Sequence, residues 1–486
     1  DNSYQFDGVN VALPLFGTLS SEPSSHDIDQ IAIVKGGANA VDFNRSGGFT
    51  INSVSKSGTN RFRGQLSYQV QPESTTADRD TQNASTFEED KEWATLSAGG
   101  PIVRDRLFFY GSYFRPTSEK QNTQNAYGAV PNFESERDEF FGKLTFTPRE
   151  NFSLNASYRD SDRSNDTASV GSRAAATTAL GEDGTLGISI LEGSWIINDK
   201  SYASFKYTDF ENQTSSIPDN LLGFDATLGQ RLDVANLDRQ GFINVPLPIP
   251  NQAAYNAFIA SLIQRYGFLQ NGTPQGGGQV GVGSQITDND FFRESYQLGW
   301  NYLFGEEVTH DFHVGYQWSL DEEDLRRTSN GWGSITVPGG RTLFNGRPVF
   351  FEAAVQQQGL VGEGGVPNIH SEFESQSIEL NDQIRFANWT VNLGLVASND
   401  TYFGQGLRET SGNISGFTLA PGNKYKMYEI DFEEMLQPRL GVTWAYNGKD
   451  TLYGNYARYY PAASSLARAA SWDRNLAATL RVFFDA

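Results

Sequence analysis

His310 and His313 stand three residues apart, a spacing that on a helix would turn two imidazoles toward one metal ion. The acidic runs Glu88-Glu89-Asp90 and Asp321-Glu322-Glu323-Asp324 supply the oxygen donors that calcium takes. The residues around the histidines read as strand, where positions three apart face opposite sides, so the pair does not converge on one ion. The acidic runs fall in stretches that read as loops. Their first reading is solvated charge and their second is a calcium site. Other chemistry is sparse. His26 and His370 complete the four histidines, cysteine is absent, and no Gly-x-Ser-x-Gly elbow is present. The pairs Gly36-Gly37 and Gly47-Gly48 lack the Gly-Lys-Ser/Thr that completes a phosphate cradle. No catalytic constellation and no other cofactor site is expected, and the chain reads as a non-enzyme.

Composition narrows the classes further. The 486 residues carry 37 basic and 58 acidic side chains, a net charge of −21, which leaves nothing to replace counterions on a nucleic acid. Phe (34), Tyr (21) and Gly (49) are abundant, a mixture that suits a β-barrel in an outer membrane. No apolar run reaches the roughly 18 residues of a helical span.

From Asn60 onward, segments with a period of two dominate. Phe152, Leu154, Ala156 and Tyr158 alternate with Ser153, Asn155 and Ser157. Tyr296, Leu298, Trp300 and Tyr302 alternate with Gln297, Gly299 and Asn301 in the same way. Short links at 101–104, 148–150, 198–200, 305–307, 387–388 and 447–449 alternate with long polar stretches near 71–90, 117–136, 163–184, 212–289, 320–371 and 402–433. Short turns on one side and long loops on the other are the rhythm of an outer-membrane barrel, and about 13 strands are expected. An odd count leaves a barrel unclosed, so further strands are expected beyond residue 486. One residue breaks the apolar parity of 377–386. Asp382 belongs near the periplasmic rim, where a carboxylate need not sit in hydrocarbon.

Two segments depart from this texture. Residues 1–57 read as a small compact fold that precedes the barrel of 58–486, with the seam at Ser57-Gly58-Thr59-Asn60. Within the long loop 212–289, residues 251–266 read as a helix capped by Asn251 and ended by Gly267. Phe258, Ile259, Leu262, Ile263 and Tyr266 share one face. That face either packs on neighbouring loops or serves as a lid or partner-docking helix, with Gly276, Gly277, Gly278, Gly281 and Gly283 as a flexible hinge. Trp332, Tyr402 and Phe403 are candidate ligand contacts in other loops.

The first 64 residues carry a resemblance. Tyr4-Gln5-Phe6-Asp7-Gly8-Val9, the segment from Ile28 through Ile31 and Val34 to Gly36, and the run from Ser46-Gly47-Gly48 through Asn52 and Lys56 to Gly58-Thr59-Asn60 resemble the plug-to-barrel junction of TonB-dependent outer-membrane receptors. Gly99-Gly100-Pro101-Ile102-Val103-Arg104-Asp105-Arg106-Leu107-Phe108-Phe109 resembles the first periplasmic turn of their Oar-like branch. The resemblance implies an all-β-dominated transmembrane antiparallel barrel of about 22 strands around an α+β plug. It also implies a place in the outer-membrane lipid of a Gram-negative bacterium and transport driven by the inner-membrane TonB complex. No TonB box stands in these residues, and the first half of the plug and the last strands are expected outside them. The expected function is uptake of a large or scarce extracellular ligand, a peptide, glycan or metal chelate. The alternative is a surface anchor that binds partner or secreted proteins.

Overall fold

The computed structural model describes the chain except residues 1–2, 21–23, 36–39, 46, 77–88, 121–123, 167–169, 227–229, 357–368, 410–416, 471–476 and 484–486. The chain opens with a small sheet of β1 (Ser3–Phe6), β2 (Val9–Asn10), β3 (Ile28–Lys35) and β4 (Phe49–Ser55), in the order β2-β1-β4-β3. β1 lies parallel to β4 and the other pairs are antiparallel. The described plug residues add a single 3-10 turn at Ser25–Asp27 and no α-helix, so this part is a sheet where an α+β fragment was expected.

Seven long strands follow: β5 (Arg63–Gln71), β6 (Glu89–Val103), β7 (Leu107–Lys120), β8 (Phe133–Arg149), β9 (Phe152–Asp166), β10 (Leu180–Asn198) and β11 (Ser201–Pro218). An excursion then holds β12 (Phe242–Asn244), α1 (Ala253–Tyr266), β13 (Phe268–Gln270), β14 (Thr273–Gln275) and β15 (Gln279–Gly281). The wall resumes with β16 (Gln285–Phe304) and β17 (Val308–Ser329). A second excursion holds β18 (Ser334–Thr336), β19 (Thr342–Phe344), β20 (Arg347–Val349) and β21 (Phe351–Gln356). β22 (Ile369–Phe386), β23 (Trp389–Glu409), β24 (Phe417–Ile430), β25 (Leu436–Trp444) and β26 (Leu452–Ala457) extend the wall before α2 (Ser465–Ala470) and β27 (Ala477–Val482).

Among the described residues the wall is one 14-stranded sheet running from β5 to β26, each strand antiparallel to its neighbour in sequence across the short turns. β24 and β25 share the far edge of β23, β25 along Trp389–Ala397 and β24 from Asp400 onward. Residues 417–430, expected within a loop, are therefore strand. The outward positions stay apolar and exposed, as at Leu298, Leu393 and Leu440, because the surrounding solvent there is lipid. Trp389 and Trp444 stack 5.2 Å apart beside the short turns. His310 and Asp382 meet outside the same rim at 2.8 Å.

The strands run well past the expected ends. A crossing takes about 9–11 tilted residues, whereas β17 is 22 residues long and β22 is 18. Asp321-Glu322-Glu323-Asp324 is therefore strand rather than loop, and Glu89 and Asp90 open β6 while Glu88 lies outside the described residues. The reason is physical. Beyond the membrane the outer face meets water, so the apolar half of the alternation lapses while the backbone ladder continues.

The two excursions and β27 build a cap. Its five-stranded sheet has the order β15-β12-β18-β21-β27, and a buried core of Leu237, Ile243, Ile259, Trp332, Ile335 and Phe351 lies against α1.

Candidate functional site

The plug sheet is seated on two stretches of wall. Phe6, Val9 and Val11 pack on Tyr110, Phe141, Leu186, Ile188, Ile190 and Phe210, inward side chains of β7 to β11. Phe6 meets Phe141 edge to face at 5.6 Å. This apolar patch is framed by polar anchors. Asp7 (φ +50) turns its carboxylate to the Ser55 N–H (2.8 Å) and hydroxyl (2.6 Å), and Lys143 of β8 approaches it at 3.3 Å. Lys206 of β11 donates to the Asp7 carbonyl at 2.7 Å. Gly8 takes φ +74 and donates to the Asn52 side chain at 2.9 Å; a Cβ there would stand 2.6 Å from Lys206 Nζ.

The opposite wall, β16 to β25, holds the plug mainly through polar groups. Arg293 of β16 forks onto Asp321 of β17 at 2.7 and 2.8 Å and donates onward to the carbonyls of Asn10 and Ala12. Leu15 adds a smaller apolar contact with Phe373 and Tyr402. Plug residues 40–45 belong to none of the apolar clusters. The Ala40 N–H donates to Asn381 (3.0 Å) and the Phe43 N–H to Glu379 (2.8 Å), whose other oxygen lies 2.7 Å from His313 Nε2. Arg439 donates to the Asn44 carbonyl at 3.1 Å. Arg45 forks onto Asp400 and donates to Ser375 and to the Tyr460 carbonyl. Between these anchors Asp42 (φ +62) and Phe43 (φ +51) are two consecutive side-chain-bearing residues in the left-handed region, at about 1–2 kcal/mol each. A cavity of about 710 Å³ borders 42–45, lined by neutral polar side chains such as Gln5, Gln297, Gln317 and Ser319 together with the charged Arg45, Arg293 and Asp321.

The seam is fixed to the first short turn. A Cβ on Gly58 would lie 2.2 Å from the Phe109 carbonyl oxygen, which only glycine tolerates. Asn60 and Asp105 exchange two hydrogen bonds, 2.6 and 2.8 Å. Of the other signature residues, Asn52 and Lys56 are internal ties of the plug, Lys56 reaching the His26 carbonyl at 2.6 Å. Gly47 lies against the Tyr459 ring, and Gly48 directly precedes β4. Ile31 is 57% exposed on β3, Val34 lies on the same strand, and Gly36 falls outside the described residues.

Sequence reasoning missed the wall partners. Lys143, Lys206, Arg293, Glu379, Asp400 and Arg439 each occupy the small-or-polar parity of a strand, and a charge at that parity is the signal that marks a lumen contact. His310 and His313 do face opposite sides, His310 outward to Asp382 and His313 inward to Asn301 and Glu379.

The cap corrects the expected helix cap and ligand contacts, and for the α1 face it favours the first of the two readings, packing on neighbouring loops. α1 begins at Ala253; Asn251 takes φ +63, and Gln252 occupies the cap without a side-chain hydrogen bond. Ile259 and Tyr266 are buried in the cap core, and the partly buried Phe258, Leu262 and Ile263 pack against it, so this face meets neighbouring loops. Trp332 is buried in the same core and Tyr402 packs against Phe373, so neither is displayed to a ligand, while Phe403 is half-buried on β23.

On the outer face of the extracellular strand ends, titratable groups gather. His370 is pushed up to about 9 by its hydrogen bonds to Asp324 and then Glu372. Burial, then the Asp288 charge, raises Asp290 to about 6. Both lie some 15 residues from the short turns of their hairpins, beyond the roughly 10 that cross hydrocarbon.

Comparison with known proteins agrees with this architecture. The family described as "Outer membrane beta barrel domain" matches residues 54–137. The TonB-dependent transporter Oar of Myxococcus xanthus is 31% identical over 138 residues, 26% of this chain and 12% of that protein. The outer-membrane transporter YddB of Escherichia coli superposes with a TM-score of 0.62 at 11% identity, over 96% of this chain and 54% of the other. The ferric-catecholate import receptor Fiu of E. coli K12, in its open form, gives 0.54 at 13% identity over 95% and 63%. The chain thus spans about an eighth of the curated relative and about half of YddB. With a plug sheet seated inside an outer-membrane wall and a family match running through the seam, the chain resembles the TonB-dependent outer-membrane receptors, with a partial relative on their Oar-like branch, and lies in the outer membrane of a Gram-negative bacterium.

Proposed function

We propose that the chain is the plug-bearing part of an energy-coupled importer that takes up a large or scarce extracellular ligand, of the peptide, glycan or metal-chelate class. The observation that carries this reading is the unequal seat of the plug. On the β7–β11 wall an apolar cluster holds β1 and β2, and separating it would expose buried hydrocarbon to water at about 25 cal/mol per Å². On the β16–β25 wall, hydrogen bonds and one ion pair hold residues 40–45. A neutral hydrogen bond exchanges for water at a net of about 0.5–1.5 kcal/mol and one to a charged group at about 1.5–3 kcal/mol, and release also relaxes the left-handed pair Asp42-Phe43. A pull from the periplasmic side would therefore free 40–45 first and widen the adjoining cavity while β1 and β2 stay seated. The wall exposed by that movement is polar, with Glu379, Asp400 and Arg439 set among neutral Ser, Asn and Gln side chains, and offers a hydrated ligand water-like contacts of both signs.

Fiu is named a ferric-catecholate import receptor, and other structural neighbours are named a ferric citrate transporter and a ferripyoverdine receptor. They support import as the class of activity. The surface-anchor alternative loses its docking helix, whose apolar face is spent on the cap core. The test is accumulation of labelled peptides, glycans and metal chelates by cells with and without the receptor, and with and without the inner-membrane TonB complex. Accumulation that needs both supports import; accumulation unaffected by loss of the TonB complex contradicts it.

A further inference from the structure

Outside the barrel, beyond the part of the wall that lipid covers, β17 and β22 bring three donor groups together. Glu322 faces Glu372 across the pair, and Asp324 faces His370 one rung further from the membrane. His370 Nε2 lies 3.4 Å from a Glu372 carboxylate oxygen and 3.6 Å from one of Glu322, and donor atoms of all three residues fall within 4.8 Å of one another. Two donors held about 2.0–2.2 Å from a tetrahedral zinc ion stand about 3.4 Å apart. The His370–Glu372 hydrogen bond, at 3.4 Å, is longer than the about 2.7–2.9 Å of a strong charge-assisted one. The two sides of the ring differ in this respect, because Nδ1 does sit at 2.9 Å from Asp324. The imidazole is thus tied at Nδ1 by one carboxylate and aimed at Nε2 between two others. A carboxylate on the far nitrogen is what fixes the tautomer and orientation of a metal-bound imidazole.

We propose that Glu322, His370 and Glu372 bind one divalent first-row transition ion of the zinc class, through one carboxylate oxygen from each glutamate and Nε2 of the histidine. Asp324 is the positioning residue. The nitrogen donor sets this apart from the all-oxygen sites that calcium and magnesium prefer. Side-chain exposure falls from 34% at Glu322 through 27% at His370 to 4% at Glu372, so the site has a closed floor and an open side. That open side leaves room for the water that completes four-coordination. Asp288 and Asp290, outward on the adjacent β16, add negative field toward an incoming cation, and Arg326 stands 3.9 Å from Asp288. The ion would clip β17 to β22 where both leave the membrane, just before β17 enters the cap at Ser329.

The test uses the full-length receptor in detergent, stripped with chelator and titrated with zinc alone, the metal counted by mass spectrometry after gel filtration. The wild type is expected to retain one zinc equivalent more than His370→Gln and than Glu322→Gln. Asp324→Asn is expected to retain the site with affinity about 10–100-fold weaker. Retained folding is read from the mobility of unheated barrel on a denaturing gel. If His370→Gln does not fold, Glu322→Gln decides, since that carboxylate is the most exposed of the three. Equal zinc retention in wild type and folded variants overturns the proposal, as does displacement of the zinc by an equal concentration of calcium.

Discussion

Arg45 of the plug and Asp400 of β23 meet through two parallel hydrogen bonds of 2.8 and 2.7 Å across 355 residues of sequence, with side chains 10% and 1% exposed. Ser375 donates to the same carboxylate at 2.7 Å. A forked guanidinium–carboxylate pair fixes orientation as well as distance, so it registers residues 40–45 against the wall.

Removing one partner should loosen that segment alone. Asp400→Asn leaves the Arg45 charge without its counter-ion, a change of about 3–5 kcal/mol for a buried pair. Hydrogen exchange at the Ala40 and Phe43 amides is expected to accelerate while that of β1 and β2 is unchanged. The double variant Arg45→Met with Asp400→Leu should recover most of the protection. Equal acceleration throughout the plug would contradict the local role.

The seam separates two kinds of contact. Gly58→Ala forces a Cβ against the Phe109 carbonyl and should destabilise the folded barrel by about 1–3 kcal/mol, as overpacking does. Asn60→Ala removes two hydrogen bonds to Asp105 that are exposed and readily replaced by water, and should do less, about 0.5–1.5 kcal/mol in all. Urea unfolding of both variants checks the order; a larger effect at Asn60 would reverse the reading of the seam.

Asp290 gives a pH dependence. Burial and the charges of Asp288, Asp324 and Glu211, opposed by Arg326, raise its pKa to about 6 from 3.8. The folded state therefore favours the protonated acid. The penalty of ionisation is fully present above about pH 6 and is relieved as pH falls through 6 toward 3.8. Asp290→Asn should raise the thermal midpoint at pH 7.5, in chelator-treated buffer, and the gain should shrink at pH 5. An equal gain at both pH values would show that charge is not the cause.

The cap should fail independently of the wall. Ile259 is fully buried against the cap sheet, and Ile259→Ala should cost about 2–5 kcal/mol of cap stability. Limited proteolysis is expected to cut within 219–284 in the variant and leave β5 to β11 intact. Cleavage of the wall at the same protease dose would mean that cap and wall unfold together.

What could be read from the sequence follows the solvent each residue meets. Leu298 and Leu393 alternate with polar neighbours because lipid demands it, and this made the wall strands legible at their membrane centres. Glu322 and Asp324 lie on the same continuous strand, but past the membrane their outward face no longer meets lipid, so the apolar half of the pattern lapses and the run reads as loop. The seam was legible because Gly58 and Asn60 satisfy local geometry within one short motif. Arg45 and Asp400 were not, since their pairing depends on closure of hundreds of residues of sheet; only the charge on an inward parity hinted at it. For α1 the apolar period was sufficient to place the helix, while its capping residue was set by the preceding turn.

Native-state hydrogen exchange in rising urea, on the full-length receptor, tests the unequal seat most directly. The account predicts that the Ala40 and Phe43 amides, bonded to Asn381 and Glu379, open at sub-denaturing urea. The Val9 and Val11 amides of the β1–β2 region should stay protected until the barrel itself unfolds. Opening of Val9 and Val11 before Ala40 and Phe43, or all four together, would contradict it.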